Sequence, residues 1–568
     1  LFVAHAKLAD REFSASGRDE LLVRDICRRL DGIALAIELA SASVRVMSLG
    51  QLRSRLDGRF RLVAKNRSTP LPRHETMQAL IDWSYELLEP RQQTVFTRLS
   101  VFTGSFSPEA AVAVAGGSGI SAGDVAAGVA ELAEKSMLVV DGSRYRMLDS
   151  IRQFALEHLR EAGDEHERRA ALAAYVLREA REAASTFGTG SEEAWLARYV
   201  PELDNVRTAL DWSIANAVPV AAEIAGTLSD FWEYANVAAE GLRRSEAILA
   251  AMEDPNAPAA IPVLVAIAKT ALAARIYRRS LECGDRALSM AERAGDENAA
   301  AAARRVAGRS RYLLEVEPQL GLSQLRKSLD YVRENGNAFL VARALRDYGS
   351  AYSHKDAEAG RKYMLEALEL AKTLEWPRLT IHIEINVAER EFRSGNAEQA
   401  VARARDVVAR LRQRRSPVQL GHALTNLASY LSVTGEFDAA EDAAREAVSI
   451  GRAHEAENYE VVALQAAAVV LAHRGELGSA ARLLGFVDAY YERYAMTREP
   501  TETIVQRRLL DVLREGLDLP ALSHETAQGR ELSDDAAIEL AFSTPARSSA
   551  AREPAINPAI ARTKASGA

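Results

Sequence analysis

The residues best suited to chemistry in this 568-residue sequence mostly lack the partners that chemistry needs. The glycine cluster GGSGISAG at 116–123 is flexible enough for a phosphate loop, yet it has no lysine to reach the phosphates. A loop between two helices is expected there. The run LVVD at 138–141 ends on an acid, as does a strand that presents a magnesium ligand, but the following residues pair back at once and a hairpin explains the run better. His74, beside Pro72 and Arg73, stands alone and reads as a surface or capping residue. Neither H-E-x-x-H, nor paired cysteines, nor G-x-S-x-G occurs, so metal and hydrolytic chemistry lack support. No catalytic or metal-binding residue is assigned, and the chain by itself is not expected to be an enzyme.

Composition narrows the classes further. Hydrophobic residues at 48% and charged residues at 26% suit a folded chain, and 71 Lys plus Arg against 79 Asp plus Glu give a formal charge of −8. Such a chain repels a polyanion, so a nucleic-acid role needs a local patch. One candidate exists: Arg45, Arg53, Arg55, Arg59, Arg61, Lys65, Arg67 and Arg73 face only Asp57 and Glu75 within 41–75. The two cysteines, Cys27 and Cys283, fit neither a disulfide framework nor a four-ligand zinc site, as a reducing cytosol allows. The longest apolar stretch, 259–268, is cut by Pro262 and falls short of a membrane span. A cytoplasmic protein without membrane contact is expected. The opening LFVAHAKLADREF has no initiator methionine, basic region or cleavage site, and reads as a piece whose natural start lies upstream.

The elements that must carry these residues are almost all helical. Ser16 and Asp19 have capping-box spacing, and Leu22, Val23, Ile26, Cys27 and Leu30 then form one stripe ending at Gly32. A second apolar helix is expected from Ala34 to about Val46. Met77, Leu80, Ile81, Tyr85 and Leu88 make an amphipathic helix that Pro90 stops, and Ser107-Pro108 starts another because serine caps free amides while proline fills the first turn. A helix from about Gly123 to Ser136 precedes MLVVDGSRYRML, read as two strands about an Asp141-Gly142 turn. Three helices followed by a hairpin is the winged-helix order.

Internal repeats organise the rest. Gly395, Gly435 and Gly475 recur at one interval, each followed by Ala400, Ala440 or Ala480 and then by Val407, Ala447 or Val487. In LTNLASYLSVTGEFDAAEDAAREAV, Leu424, Leu427, Ala428 and Leu431 mark a first helix, and Ala440, Ala444 and Ala447 a second. Small residues let the two helices approach closely. Weaker copies run back through Gly360 and Ala367 and through Ser280 and Ala287, and a helical stretch with Trp195, Trp212 and Trp232 precedes them. This pattern resembles the tetratricopeptide repeat at a longer pitch. The fold class is therefore mainly α: a small helical domain over 1–65, a winged-helix domain with a short β-hairpin over 66–165, a helical start of the superhelix over 166–250, and a TPR-like α-solenoid over 251–520. An Ala-, Ser- and Pro-rich tail over 521–568 is expected to be disordered.

The runs CRRLDGIALAIELAS, LPRHETMQALIDWSYELL, LSVFTGSF and YRMLDSIRQFA occur in that order, and together they resemble the bacterial branch of the STAND, or NB-ARC-related, signal-transduction ATPases. The resemblance covers residues 1 to about 160 by motif and the repeats by architecture alone. It implies an upstream nucleotide-binding domain carrying the phosphate loop, and ATP or ADP as the cofactor of the intact protein, with none held tightly by these residues alone. It also places Gly32, Ile33, Ala34 and Leu35, with Ala36, at the family's GLPLA-type motif near the adenine. Met147, Leu148 and Asp149 fall at its Met-His-Asp-type motif, where leucine has no donor for a diphosphate. The implied role is a transcriptional or signalling regulator whose repeats sense a protein, peptide or other ligand, and which could form a homo-oligomer when activated. A plain interaction scaffold and a winged-helix DNA-binding regulator are the alternatives. Direct DNA binding is not expected, because the candidate reading helix at 123–136 carries Asp124, Glu131 and Glu134 against Lys135 alone.

Overall fold

A computed structural model describes residues 1–9, 13, 18–30, 34–42, 44, 47–53, 73–414, 417–453, 457–494, 496 and 498–542. Helices dominate throughout, and the one sheet among the described residues is a two-stranded hairpin. Two compact units divide the chain, Leu1–Asn386 and Val387–Ala568.

In the first unit the helices Phe2–Ala9, Arg18–Arg29, Ala34–Ala42 and Arg73–Glu86 share a core. The predicted stripe faces it: Val23, Ile26 and Leu30 are buried beside Ile37, Leu80 and Trp83, while Leu22 and Cys27 pack at its edge. Most of the basic segment 41–75, and Ser16 of the expected capping box, lie outside the described residues. The second helix ends at Ala42, a turn earlier than expected.

Helices Pro90–Leu99, Pro108–Ala115 and Ala122–Glu134 follow, then the strands β1 (Val139–Asp141) and β2 (Arg144–Arg146), then helix Asp149–Glu161. Ser107 Oγ accepts from Ala110 N at 3.1 Å, with Pro108 at the first helical position, as its sequence requires. Asp141 pairs with Arg144, so the hairpin turn is centred on Gly142-Ser143, one residue later than the Asp141-Gly142 expectation. Gly142 there adopts φ +60°. Phe106 and Tyr145 exchange backbone bonds of 2.8 and 2.9 Å, adding a third extended segment beside the hairpin.

The glycine cluster is a loop between helices, and its polarity is opposite to that of a phosphate loop. Arg98 Nη1 donates to the carbonyls of Ala115 and Gly117 at 3.0 and 2.7 Å, and Arg168 Nη1 to those of Val114 and Gly116 at 3.0 and 2.9 Å. Two guanidinium groups thus satisfy the open carbonyl end of helix Pro108–Ala115, the end that favours cations. Asp164 binds both arginines, at 2.7 and 3.3 Å.

Helices Glu165–Thr186, Glu192–Tyr199, Leu203–Asn216, Val218–Thr227, Phe231–Tyr234 and Ala238–Ala251 come next, and then three helix pairs: Ile261–Ala273 with Tyr277–Ala294, Glu297–Leu314 with Pro318–Asn335, and Ala338–Tyr352 with Ala357–Lys372. Ser280, Ala287 and Ala367 have no exposed surface, and a Cβ on Gly360 would meet the Ser353 backbone nitrogen at 2.6 Å. These positions are where helices touch.

The second unit repeats the device. Gly395, Gly435 and Gly475 adopt φ of +84°, +88° and +87°, each closing a first helix before the second begins at Ala397, Phe437 or Leu477. After each glycine the next amide, of Asn396, Glu436 or Glu476, reaches back to the carbonyl of Glu391, Leu431 or Leu471 at 2.9 to 3.1 Å. This is the left-handed helix ending that glycine makes cheap. Ala400, Ala440, Ala444, Ala447, Ala480 and Val487 are fully buried, as the repeat spacing predicts.

The expectation of a disordered tail from 521 is corrected. Helices Leu519–Gly529 and Asp534–Phe542 are formed, with Asp518 capping Ala521 N at 2.8 Å and Ala537 fully buried. Glycines make the docking possible: a Cβ on Gly485 would sit 2.0 Å from the Thr526 carbonyl oxygen, and one on Gly529 1.9 Å from that of Arg482. Packing through backbone leaves little hydrophobic signal to read. Residues 543–568 lie outside the described residues.

Candidate functional site

The first helices of the first unit's pairs form one row, inner in the sense that Phe187 and Asp230 of earlier segments pack on it, and this row carries a charged cluster. Lys269, Arg305 and Arg343 stand about one repeat apart on helices Ile261–Ala273, Glu297–Leu314 and Ala338–Tyr352. Asp230, from the turn before helix Phe231–Tyr234, bridges two of them. Its Oδ2 accepts from Lys269 Nζ at 2.7 Å and its Oδ1 from Arg343 Nη1 at 2.7 Å. One carboxylate therefore spans two repeats. Asp347, with no exposed surface, accepts from Arg305 Nη1 at 2.9 Å and Arg346 Nη2 at 2.8 Å, while Arg309 Nε lies 3.9 Å away.

Burial and charge oppose each other here. Burial pushes the Asp230 carboxyl up, but Arg343 and Lys269 outweigh it and hold the group well below the carboxylate range. Asp347 is likewise held low against burial by Arg346, Arg305 and Arg309. Burial lowers the Lys269 ammonium, Asp230 partly restores it, and Arg343 lowers it again. Asp230 and Asp347 between them thus pair with five cations.

Aromatic packing seals one side. The Phe187 ring lies 4.9 Å from Phe339 and 5.1 Å from Tyr234 and from Trp376, and the Arg343 guanidinium sits 5.8 Å and 5.5 Å over the Phe187 and Phe339 rings. Side chains of the repeats take up backbone carbonyls of the crossing segments: Asn337 Nδ2 donates to Phe187 O at 2.8 Å, and Arg378 Nη1 to Tyr234 O at 3.0 Å. Arg378 Nε also pairs with Glu192 at 3.1 Å. The inner face thus binds backbone carbonyls and carboxylates of the chain's own earlier segments. A separate cleft lined by Tyr175, Val176, Tyr199 and Phe231 has room for about one water molecule and is too small for an organic ligand.

The sequence-predicted positions fall elsewhere. Gly32 and Ile33 lie outside the described residues, and Ala34 opens helix Ala34–Ala42 with its side chain exposed. Leu35 and Ala36 belong to that helix. Met147 is buried, Leu148 is the N-cap of helix Asp149–Glu161, and the Asp149 side chain is 91% exposed, 3.6 Å from Arg152 Nε. Nothing in the described residues brings the two motifs together. Leu148 offers no polar group and Asp149 an anion, so these positions do not fit a diphosphate by themselves. Sequence reading missed the inner-face cluster, whose signal is a cation recurring at the repeat interval in Lys269, Arg305 and Arg343.

Among the described residues no group of three or more His, Cys, Asp or Glu side chains is placed to hold a metal ion, and no helix is long and apolar enough to cross a membrane.

Comparison with known proteins gives the class of relative. The chain is 31% identical over 386 residues to a Mycobacterium tuberculosis H37Rv protein named "Putative HTH-type transcriptional regulator", an alignment covering 66% of this chain and 39% of that protein. It is 38% identical over 169 residues, 29% of this chain and 43% of the relative, to an uncharacterized protein of the same strain. The chain thus spans about two fifths of the length of the curated relatives it matches. Among solved structures, a Signal Transduction ATPase with Numerous Domains (STAND) protein with a tetratricopeptide repeat sensor from Pyrococcus horikoshii aligns at 15% identity and a TM-score of 0.41, covering 84% of this chain and 74% of that one. No family model matches.

Proposed function

We propose that these residues form the regulatory portion of a STAND-type signal-transduction ATPase that controls transcription or signalling, with the TPR-like repeats receiving a protein or peptide. The observation that carries this reading is the inner face just described, where side chains from successive repeats converge on backbone carbonyls and carboxylates, the groups a bound peptide offers. Likeness to proteins named as transcriptional regulators supports it. In this reading the elements over 66–165 act as a winged-helix connector, ATP or ADP belongs to an upstream domain, and these residues catalyse nothing. Gly32 to Leu35, Leu148 and Asp149 approach the nucleotide only in the intact protein. Leu148, without a donor, favours the second reading, a scaffold whose nucleotide switch is lost.

DNA contact by helix Ala122–Glu134 is not favoured. Asp124 pairs with Arg91 at 2.9 Å, Gln92 donates to Glu131, and Lys135 is taken up by Gln92 at 2.9 Å, so the helix binds its own neighbour and keeps its acids.

A promoter-reporter assay with the full-length protein tests the proposal. Removing residues 261–516 is expected to make output independent of the inducing condition, while fluorescent ATP binding is retained by the full-length protein and missing from residues 1–568. Output unchanged by the deletion would overturn the regulatory role, and loss of full-length ATP binding would leave the scaffold.

A further inference from the structure

We propose that helix Asp534–Phe542 is an exchangeable arm: it covers an apolar face of the second unit in its own chain, and the same face takes the corresponding helix of a second copy of the chain. The inference concerns the second unit alone and does not rest on the ligand-receiving role of the first.

The face comes from one helix. Between Glu460 and His473, helix Glu457–His473 reads VVALQAAAVVLA, with Gln465 as its one polar residue. Every residue from Glu460 to Ala472 is buried, so the helix is covered on all sides, as a helix apolar all round must be. Helices Pro417–Thr434, Phe437–Ala453, Leu477–Arg493 and Pro500–Gly516 cover part of it, and helix Asp534–Phe542 covers a further part. Helices Pro500–Gly516 and Leu519–Gly529 continue the two rows of the stack, packing on Glu457–His473 and on Leu477–Arg493 in turn. Helix Asp534–Phe542 continues neither row. It turns back over both of those earlier helices, and its two ends reach side chains of Phe437–Ala453. Lifting it bares apolar surface, and such surface is what a partner helix covers.

The arm is lightly fastened. Its buried residues are Ala537 and Ala541, whose methyl groups allow close approach but cover little area, while Ile538, Leu540 and Phe542 stay partly exposed. At its start Asp535 pairs with Arg452. At its end Arg445 donates to the Phe542 carbonyl at 3.4 and 3.5 Å and sits 4.6 Å from the Phe542 ring. The Arg445 and Arg452 side chains are 50% and 48% exposed, and ion pairs so exposed add little stability. A helix of nine residues also has little stability of its own. Residues 530–533 join it to helix Leu519–Gly529, which Gly485 and Gly529 seat closely on its neighbour. The same contacts define the occupant: small residues four apart, an acid at the start for Arg452, and a helix end with an aromatic ring for Arg445. Every copy of the chain carries that helix. Exchange of an identical element between copies keeps each of these contacts and costs little beyond association.

The test uses the whole 568-residue chain with Cys27→Ser and buried Cys283 left in place, a background that by itself should give no cross-linked product. Arg452→Cys in one chain and Asp535→Cys in a second, size-tagged chain are mixed and treated with a short bismaleimide. Random collision makes the heterodimer equal to the two homodimers together. Exchange is expected to raise it severalfold above their sum, and further as protein concentration rises. A chain carrying both cysteines is expected to link internally, and once linked to stay monomeric by light scattering where the unlinked chain dimerises. Ala541→Glu, which puts a charge into the covered face, is expected to abolish the heterodimer excess; if circular dichroism shows that variant misfolded, Phe542→Ala replaces it and is expected to reduce the excess. The proposal is overturned by a heterodimer no more abundant than collision gives, by an internal link that fails to form, by dimers that persist after the internal link, or by an excess that survives the folded variant.

Discussion

Gly188 and Phe339 lie so close that a Cβ on the glycine would sit 2.5 Å from the Cβ of the phenylalanine, although most of the helical start of the superhelix and two helix pairs separate them in sequence. Gly188 also has φ +78°, so overlap and backbone strain coincide at one position. Gly188→Ala is expected to destabilise the first unit by about 3 kcal/mol and to loosen the ring contacts of Trp195 and Trp376 with Phe187. Denaturant unfolding followed by tryptophan fluorescence checks both; a wild-type midpoint would mean that this crossing does not hold the fold.

Gly435 and Gly485 separate two reasons for glycine. A Cβ on Gly435 meets nothing within 4 Å, so Gly435→Ala should cost only the left-handed backbone strain, about 1 kcal/mol. Gly485→Ala would push against the Thr526 carbonyl and is expected to cost more, about 2 to 3 kcal/mol, with release of helix Leu519–Gly529. Hydrogen exchange at residues 519–529 reads the difference: faster exchange in the second variant only.

Arg144 on β2 donates to buried Glu202 at 2.6 Å, and Asn205 Nδ2 adds a bond of 2.9 Å to the same carboxylate. Arg144→Gln leaves that carboxylate buried without its cation and is expected to cost about 3 kcal/mol, whereas adding Glu202→Gln should restore part of the loss. A double-mutant cycle in urea measures the coupling. Additive effects would show that the hairpin is held by other contacts.

Cys283 is buried, and burial first of all pushes its thiol up to about 11. At pH 8 its reaction with a disulfide reagent should be roughly two orders of magnitude slower than that of an ordinary thiol, from thiolate fraction alone. Titration of native protein should give a slow phase that disappears in denaturant and in Cys283→Ser; one fast phase for both cysteines would contradict the burial.

His473 stacks on Phe437 at 4.5 Å, and burial, then Arg508, lowers its pKa in the folded protein. The unfolded chain then takes up more protons between the folded value and about 6.5, so stability should fall as pH drops through about 6.5 and level off once the folded group also protonates. His473→Gln should flatten that part of the stability profile, and an unchanged slope would place the proton uptake elsewhere.

Local chemistry was legible without coordinates. The Ser107-Pro108 start, the Val23–Ile26–Leu30 stripe and the glycines at 395, 435 and 475 each depend on a few adjacent residues, because capping, helical periodicity and left-handed turns are short-range demands. The tail was misread for the converse reason: its two helices dock through glycine and alanine, residues whose contribution is closeness of approach rather than hydrophobic area. Only the tertiary structure decided the inner face. Asp230, Lys269 and Arg343 look in sequence like three unremarkable charges, and the stacking of helix pairs is what places one carboxylate between cations two repeats apart, where lost hydration makes their pairing matter.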